Sequence, residues 1–374
     1  MAIKQKIFDL KPQKKMDYSF LIVVLALLSY GLIMVFSASS ASAHYEYNDA
    51  LHFIKRQLLW SSLGLVVMFF VSRISYKTIY KYALHLMVIS IVLLILVPFI
   101  GIEVKGAKRW LGFGSVSFQP SELAKFAIIV FLARSLSVNH DALKTFNKGF
   151  LPYIFIIGLL ALLVFIEPHL SGAIVIVAVG FIVLWAAGAK MSHFVIIGIP
   201  VVAIACIAMI SAPYRMARVT TFFNPFEDTT GASYQIIQSL YAIGSGGFFG
   251  VGLGQSRQKY LYLPEAQNDF IFSIICEELG FLGALLVVVL FVILIFKGIK
   301  IAMNAPDKFS RLTVIGIIGL IAVQVVVNIA VVTSSIPATG MPLPFFSYGG
   351  SSLLFILAEM GVVLSISREA DTSL

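Results

Sequence analysis

Long runs of apolar residues alternate with short polar connections along most of this chain. Each of ten runs approaches the roughly 20 residues that a helix needs to cross a bilayer, and the runs show no strand-like alternation. The predicted spans are residues 18–39, 57–72, 82–101, 121–137, 150–166, 170–188, 193–212, 270–291, 312–335 and 349–367. The pattern predicts an all-α polytopic membrane protein with about ten transmembrane helices.

The composition supports a single membrane domain over residues 1–374. Of these 374 residues, 59% are hydrophobic and 12% are charged, whereas a soluble domain carries about 25% charged residues. Backbone polar groups in lipid must be satisfied internally, which requires helices or closed barrels. The runs are too long and too uniformly apolar for barrel strands. The two cysteines, Cys206 and Cys276, lie in predicted spans and imply no disulfide.

The distribution of charge predicts the orientation. With the N-terminus inside, most of the 27 Lys and Arg residues fall in inner segments, as the positive-inside rule requires. Both termini are then cytoplasmic, with a tail at residues 1–17 and one large extracytoplasmic loop at residues 211–269. The net charge of +9 comes mostly from residues at the inner membrane surface, where they bind anionic lipid. Nucleic acid is therefore not an expected partner.

The large loop between the seventh and eighth spans has two recognisable parts. Residues 233–243 carry apolar side chains at the spacing of a short amphipathic helix, which we expect to lie in the membrane interface. Residues 244–254 are rich in glycine. Because no strand precedes them and no Gly-Lys-Ser/Thr follows, a nucleotide-binding loop is excluded. These glycines are expected to allow tight turns and close backbone approach.

Several Lys and Arg residues fall in predicted outer loops, contrary to the positive-inside rule, which suggests that they have a function there. They occur in three outer loops as Lys108 with Arg109, Arg215 with Arg218, and Arg257 with Lys259. If the loops converge, these side chains form an anion site at the headgroup level, which suits a lipid-linked diphosphate. The alternative is that they reach to ordinary lipid headgroups.

Asp269 is the leading candidate for a catalytic residue. It stands at the start of the eighth span, and four-residue spacing places Ser273 and Glu277 on the same helix face. A carboxylate at the membrane rim with polar groups below it suits a general base that faces a cavity. The alternative is an ordinary acidic residue at a helix start.

Several ionisable residues lie inside predicted spans. Glu277 and Glu278 need a cavity or a partner at that depth, and Lys125 is the expected partner. Glu122 stands three residues before Lys125, a favourable spacing for an ion pair. An ion pair that joins helices and a catalytic role both remain open. Glu359 in the last span is assigned no role.

The segment at residues 337–352, PATGMPLPFFSYGGSS, holds three prolines and three glycines. Irregular backbone at membrane depth is tolerated only inside protein or beside a water-filled cavity, so this segment is expected to line a groove for a large ligand. Ser347 and Ser351 are its candidate binding residues. Gln324 and Asn328 precede it in the ninth span and are expected to hydrogen-bond between helices. The six histidines show no metal-ligand spacing.

Several motifs together resemble the SEDS proteins (shape, elongation, division and sporulation), and the FtsW and SpoVE branch more than RodA. They are KGAKRW at 105–110, SFQPSELAK at 117–125, SAPYR at 211–215, QIIQSL at 235–240, GLGQSRQK at 252–259, LPE at 263–265, DFIF at 269–272, EELG at 277–280 and the segment at 337–352. They follow the family order, and the resemblance extends over nearly the whole chain.

The resemblance implies a peptidoglycan glycosyltransferase that polymerises lipid II at the outer leaflet. The implied partners are a class B penicillin-binding protein, which crosslinks the strands, and other division or sporulation proteins. The family's essential aspartate falls on Asp269, its outer arginine on Arg109, and its Glu/Lys pair on Glu122 and Lys125. No cofactor is firmly implied, although a divalent cation (Mg²⁺ or Mn²⁺) is compatible with a diphosphate leaving group.

Two positions depart from the family pattern. Asn268 stands where the family usually has threonine, and both side chains are polar. After the fifth span the usual Gln-Pro-Asp-Leu-Gly is replaced by residues 167–171, in which Glu167 takes the place of Gln and His169 the place of Asp. The role of that site is left open.

The combined hypothesis is a glycosyl transfer with Asp269 as the general base. The diphosphate of a lipid-linked strand would lie near Arg109, Arg215 and Arg257, and a hydroxyl of incoming lipid II would attack with inversion. The substrate-binding candidates are Lys108, Arg109, Glu122, Lys125, Arg215, Arg218, Arg257, Lys259, Ser347 and Ser351. Two alternatives remain open, a lipid II flippase and a scaffold that only recruits the penicillin-binding protein.

Overall fold

A computed structural model of the chain describes residues 16–104, 106–113, 116–139, 143–210, 216, 222–223, 226 and 233–370. The helices are α1 (Tyr18–Tyr47), α2 (His52–Arg73), α3 (Tyr76–Ile100), α4 (Pro120–Val138), α5 (Leu151–Ile166), α6 (Leu170–Ala186), α7 (Met191–Ile210), α8 (Tyr234–Gly246), α9 (Ile271–Met303), α10 (Lys308–Val332) and α11 (Gly350–Glu369). A short π-helical turn, Phe146–Phe150, leads into α5.

All ten predicted spans are helices, so the all-α membrane architecture is confirmed. Seven of the described helices are long and apolar enough to cross a membrane by length and composition, and α6 and the first part of α7 are apolar but shorter. The predicted ends differ at α1, which continues past residue 39 until Asn48 adopts a left-handed conformation. They also differ at α9, which continues past residue 291 to Met303.

The outer connection at residues 102–120 was expected to be a loop, but it contains a small antiparallel sheet. Its strands are β1 (Ile102–Val104), β2 (Ala107–Phe113) and β3 (Val116–Phe118), in the order β1-β2-β3. The tight connections pair Val104 with Ala107 and Phe113 with Val116. Two of the strands have only three residues, too few for an alternating pattern to be recognised in the sequence.

Helices α1 and α9 run antiparallel. At one end, Lys297 donates to Ser19 Oγ at 2.7 Å. At the other end, Ser37 Oγ donates to the Glu278 carboxylate at 2.6 and 2.7 Å. The 18 residues from Ser19 to Ser37 span about 27 Å of helix, close to the thickness of the hydrocarbon layer. Glu278 therefore lies about one hydrocarbon thickness away from Lys297.

The glycine-rich segment packs directly against a break in α9 at Gly280, where φ is 65°. The N–H groups of Val251 and Gly252 donate to the carbonyls of Glu277 and Glu278, both at 3.0 Å. The N–H of Phe281 donates to Gly247 O, also at 3.0 Å. These bonds replace the helical bonds lost at the break. The prediction of close backbone approach by these glycines is confirmed.

Gly250 is expected to tolerate no side chain, because its φ is +81° and an added Cβ would lie 2.2 Å from Glu278 O. Gly250→Ala should therefore lower the thermal unfolding midpoint in detergent by several degrees, since both left-handed strain and a backbone clash oppose it. Gly244→Ala is the matched control, because nothing lies within 4 Å of its added Cβ and alanine favours a helix. Equal midpoints for the two variants would contradict this account.

The short helix predicted at residues 233–243 exists as α8, but its apolar face is not in the membrane interface. Ile236, Ile237 and Ala242 are buried, and a Cβ at Gly246 would lie 1.9 Å from Cys276 O of α9. Helix α8 therefore uses its apolar stripe to pack on α9. Hydrophobic periodicity reports which face is buried and not what covers it.

The proline- and glycine-rich segment turns into the bundle before α11 begins. Phe345 and Phe346 are buried; the ring of Phe346 packs edge-on against Tyr30 of α1, and both phenylalanines pack beside Phe291 of α9. Gly31 of α1 allows the approach, because an added Cβ would lie 2.2 Å from Phe345 O. As expected, protein surrounds this irregular backbone. The groove for a large ligand stays a prediction.

Candidate active site

Asp269 lies just before α9 and is half-buried beside the proline- and glycine-rich segment. A Cβ added to Gly340 would lie 3.2 Å from Asp269 Oδ2, so the carboxylate reaches the glycine of that segment. The Asp269 carbonyl accepts a hydrogen bond from Asn328 Nδ2 at 2.8 Å. Asn328 is 20 residues beyond Lys308 on α10, about 30 Å of helix. Asp269 thus lies near the end of α10 that is far from Lys308, and its position on the outer side of the membrane stays a prediction.

The expected row of polar groups beneath Asp269 does not line a cavity. Ser273 Oγ lies 2.7 Å from Ser239 Oγ of α8, and both atoms are buried. The Glu277 carboxylate accepts the hydroxyl of Ser256 and the N–H of Arg257, the latter at 2.9 Å. Ser273 and Glu277 therefore hold the large loop against α9, and the prediction that they support a cavity-facing base is wrong.

Asn328 and Gln57 fix the segment that faces Asp269. The Asn328 amide donates to Met341 O at 2.7 Å as well as to Asp269 O. Gln57 of α2 donates to Ser347 O at 3.4 Å and accepts from the Gly349 N–H at 3.3 Å. Both partners of Asn328 lie in connections and not in helices, so its expected bond between helices is not found within the described ranges. Gln57 was missed because it lay at the edge of a predicted span.

Ser347 does not occupy a position suited to binding substrate. Its hydroxyl donates to Asn268 O at 2.8 Å and accepts from the Leu343 N–H at 2.7 Å. Its hydrogen bonds thus stabilise the start of α9 and the turn before α11. Ser351 is buried, with no hydrogen-bond partner for its hydroxyl among the described residues. Its role in substrate binding stays a prediction.

Arg109 on β2 contacts the turn between α5 and α6. Its guanidinium donates to Glu167 O at 3.2 Å and to Pro168 O. From the same region, Ser171 Oγ donates to Thr339 O, next to Gly340. A chain of contacts therefore runs from Arg109 through this turn and Thr339 to Gly340 and Asp269. That the outer cations converge to form an anion site stays a prediction.

The other predicted outer cations differ in their exposure. Lys108 and Arg257 have exposed side chains, which is compatible with anion binding. Lys259 is buried, and its ammonium lies 3.0 Å from Glu278 Oε1 and 2.6 Å from Gly254 O. The prediction that Lys259 contacts substrate is therefore wrong for this structure. Arg215 and Arg218 lie outside the described residues.

One buried acid has the predicted partner and another does not. Lys125 pairs with Glu122 at 2.8 Å, and both are buried within α4. This confirms the expected pair. Lys125 is not the partner of Glu278, which pairs with Lys259 and Ser37 instead. Sequence spacing revealed the first pair and could not reveal the second, whose members come from different elements. Glu122 and Lys125 are ligand-binding candidates only by prediction.

The pKa values of Glu167 and His169 are both shifted in the direction that favours the uncharged side chain. Burial raises the pKa of Glu167 to about 8, although Arg109 acts in the opposite direction. Burial lowers the pKa of His169 to about 3, and the charges of Arg109 and Lys125 lower it further. Its Nδ1 lies 3.3 Å from Gln119 Nε2 and 3.4 Å from Ser121 Oγ. His169 therefore ties the start of α6 to the start of α4.

The raised pKa of Glu167 predicts a loss of stability as the pH rises. Between about pH 4.5 and pH 8 the folded protein holds this proton more tightly than the unfolded chain, so rising pH favours unfolding. Glu167→Gln replaces the titratable carboxyl group by an amide. Relative to wild type it should stabilise the protein at pH 8 by up to roughly 4 kcal/mol, with little effect near pH 4.5. Thermal unfolding at several pH values measures the difference.

Glu46→Gln is the matched control for this experiment, because Glu46 is exposed. An identical pH dependence in wild type and Glu167→Gln would show that Glu167 does not titrate in this window.

No metal centre is evident in the part of the chain that the structure describes. No group of three or more His, Cys, Asp or Glu residues there is placed to hold a metal ion. The Asp269 carboxylate alone can supply at most part of a coordination shell.

Comparison with known proteins gives a consistent result. The model of the FTSW_RODA_SPOVE family, described as cell cycle proteins, matches residues 18–372. Stage V sporulation protein E of Bacillus subtilis strain 168 is 46% identical over 354 residues, 94% of this chain and 97% of that protein. The probable peptidoglycan glycosyltransferase FtsW of Trichlorobacter lovleyi is 42% identical over 361 residues, 96% of this chain and 95% of that protein.

Solved structures agree with these relatives. A chain from a peptidoglycan synthase complex, described as coordinating polymerization and crosslinking, has a TM-score of 0.79 and 29% identity, and the match covers 95% of this chain and 98% of that one. The rod shape-determining protein RodA of Thermus thermophilus has a TM-score of 0.71 and 27% identity, with coverage of 96% and 98%. The chain therefore belongs to the FTSW_RODA_SPOVE family of cell cycle proteins.

Proposed function

We propose that this protein is a peptidoglycan glycosyltransferase that polymerises lipid II into glycan strands at the outer face of the cytoplasmic membrane, in cell division or sporulation. Relatives that match nearly the whole chain bear the name peptidoglycan glycosyltransferase. The observation that supports the proposal is the series of contacts that links Arg109 of β2, through the turn between α5 and α6 and through Thr339, to Asp269.

The reaction follows from the chemistry of these two side chains. Asp269 takes the proton from a sugar hydroxyl of lipid II as that oxygen attacks the anomeric carbon of the lipid-linked strand. The glycosyl–oxygen bond to the diphosphate breaks with inversion, and the lipid diphosphate leaves with the bonding electrons. Arg109 stabilises the charge that develops on the diphosphate. No nucleotide is consumed, because the leaving group carries the activation.

Lys108 and Arg257 extend the anion site in this proposal, because both are exposed on the outer side. Arg215 and Arg218 belong to it by sequence position. A divalent cation, Mg²⁺ or Mn²⁺, can assist by binding the diphosphate oxygens. Chelation followed by restoration of each ion separately tests this assistance, and strand synthesis that is unchanged by the chelator argues against it.

The proposed partner is a class B penicillin-binding protein that crosslinks the new strands, together with other division or sporulation proteins. The similar chain from a peptidoglycan synthase complex supports this, since that complex is described as coupling polymerization with crosslinking. Both termini are proposed to be cytoplasmic, as the excess of basic residues in the inner segments indicates.

Strand synthesis by the purified full-length chain tests the proposed function directly. The chain, alone and with its penicillin-binding protein, is supplied with labelled lipid II in detergent micelles, and the products are separated by length. Polymerisation supports a glycosyltransferase, because micelles have no two sides between which lipid could be moved. A flippase or a scaffold would leave lipid II unpolymerised under both conditions.

A further inference from the structure

An aromatic surface at the junction of α1 and α2 takes no part in the reaction described above. The rings of Tyr47 and His52 are stacked in parallel, with centroids 3.8 Å apart and an interplanar angle of 1°. Phe53 is buried behind them and meets both rings edge-on. Tyr47 remains 50% exposed. The result is a flat ring, backed by others, with one side open.

The backbone at this junction holds the stack in a fixed orientation. Helix α1 ends at Asn48 in a left-handed conformation. The Asp49 side chain then accepts the Leu51 N–H at 3.0 Å and the Lys55 ammonium at 2.8 Å. A platform on such a turn loses little freedom when a ligand binds, and pre-organisation of this kind favours affinity.

The aromatic surface is continuous with the candidate active site. Phe53 packs against Tyr348 with ring centroids 5.0 Å apart. The N–H of Tyr348 donates to Gln267 O at 2.9 Å, two residues before Asp269. A series of contacts therefore links the platform to the backbone two residues before Asp269.

We propose that Tyr47, supported by His52 and Phe53, is a binding surface for the sugar rings of the growing glycan strand. This inference rests on the proposed function. Pyranose rings have flat faces of C–H groups and a polar edge, and amphipathic rings such as tyrosine offer a matching apolar face with a polar end. The neighbours of Tyr47 along the chain, Glu46, Asn48 and Asp49, are polar, which favours a hydrated carbohydrate over lipid tails.

Such a surface would keep the strand bound between successive additions. The length of the product then depends on Tyr47, because a strand that dissociates early is released short. Tyr47→Ala and Tyr47→Leu should both shorten the mean strand about three- to tenfold, the change expected from the loss of one aromatic contact. Tyr47→Phe keeps the ring and should restore strands close to the wild-type length.

The test measures strand lengths after equal consumption of lipid II by the full-length chain with its penicillin-binding protein. Tyr45→Ala is the matched control, since Tyr45 is 76% exposed on the same turn of α1 but two residues away, on a different face of the helix. Strand length should not change in that variant. Thermal unfolding verifies that every variant is folded.

Several outcomes would overturn the inference. Strands of wild-type length made by Tyr47→Ala would contradict it. Strands of wild-type length made by Tyr47→Leu would also contradict it and would indicate that Tyr47 makes an apolar contact with the membrane. Unchanged length with weaker co-purification of the penicillin-binding protein would indicate a protein-docking surface instead. If the wild-type chain makes no strands at all, the failure lies with the proposed function and not with this surface.

Discussion

Asp269→Asn is expected to reduce polymerisation of lipid II by at least about a hundredfold. The amide has nearly the same shape but cannot take the proton from the attacking hydroxyl, and a positioned general base contributes roughly 10²–10⁴ to a rate. The backbone carbonyl of Asp269, which accepts from Asn328, is unchanged, so folding should be preserved. The rate of strand formation from labelled lipid II measures the effect.

Glu103→Gln is the control for this experiment. Glu103 is another outer carboxylate, exposed on β1, and its replacement should leave the rate unchanged. Thermal unfolding and co-purification of the penicillin-binding protein should be the same for both variants and wild type. If Asp269→Asn forms strands at the normal rate, Asp269 is not the base and the mechanism proposed above is wrong.

Lys259→Met is expected to destabilise the fold by about 3–5 kcal/mol, because it leaves the buried Glu278 carboxylate without its counter-ion. The Lys259 and Glu278 side chains are 3% and 0% exposed, with the two charged atoms 3.0 Å apart. The Ser37 hydroxyl and the Ser256 N–H would remain as donors to the carboxylate. The midpoint of thermal unfolding in detergent should fall by roughly 5–10 °C.

The double variant Lys259→Met with Glu278→Gln separates loss of the pair from loss of packing. It removes both charges, so it should recover a large part of the lost stability. Lys108→Met replaces an exposed lysine and should change stability by less than about 0.5 kcal/mol. If the single variant Lys259→Met is as stable as Lys108→Met, the buried pair does not hold the large loop to the bundle.

The helical architecture was predictable because bilayer thickness imposes one length on every span. The ends were less predictable. Helix α1 continues through Ser40 and Ser42, and these hydroxyls donate to backbone carbonyls three residues earlier, so a polar stretch remains helical. The sheet around Arg109 was missed for a different reason, since its short strands are stabilised by tight turns and not by alternating hydrophobicity.

The candidate site was predictable where one residue or one helix carries the signal. Asp269 stands at the start of a span, and Glu122 with Lys125 has helical spacing, so both were found. Contacts between distant elements left no such pattern. Neither the pairing of Lys259 with Glu278 nor the bond from Ser171 to Thr339 has a fixed spacing, and both depend on how the large loop and the last connection fold back.

The amide of Asn328 has a consequence for how the site responds to forces on the bundle. One side-chain nitrogen holds both the carbonyl next to the base and the carbonyl of Met341. A displacement of α10 is therefore expected to move the backbone of Asp269 and the facing segment together. A partner that binds this helix would then reposition the two as a unit.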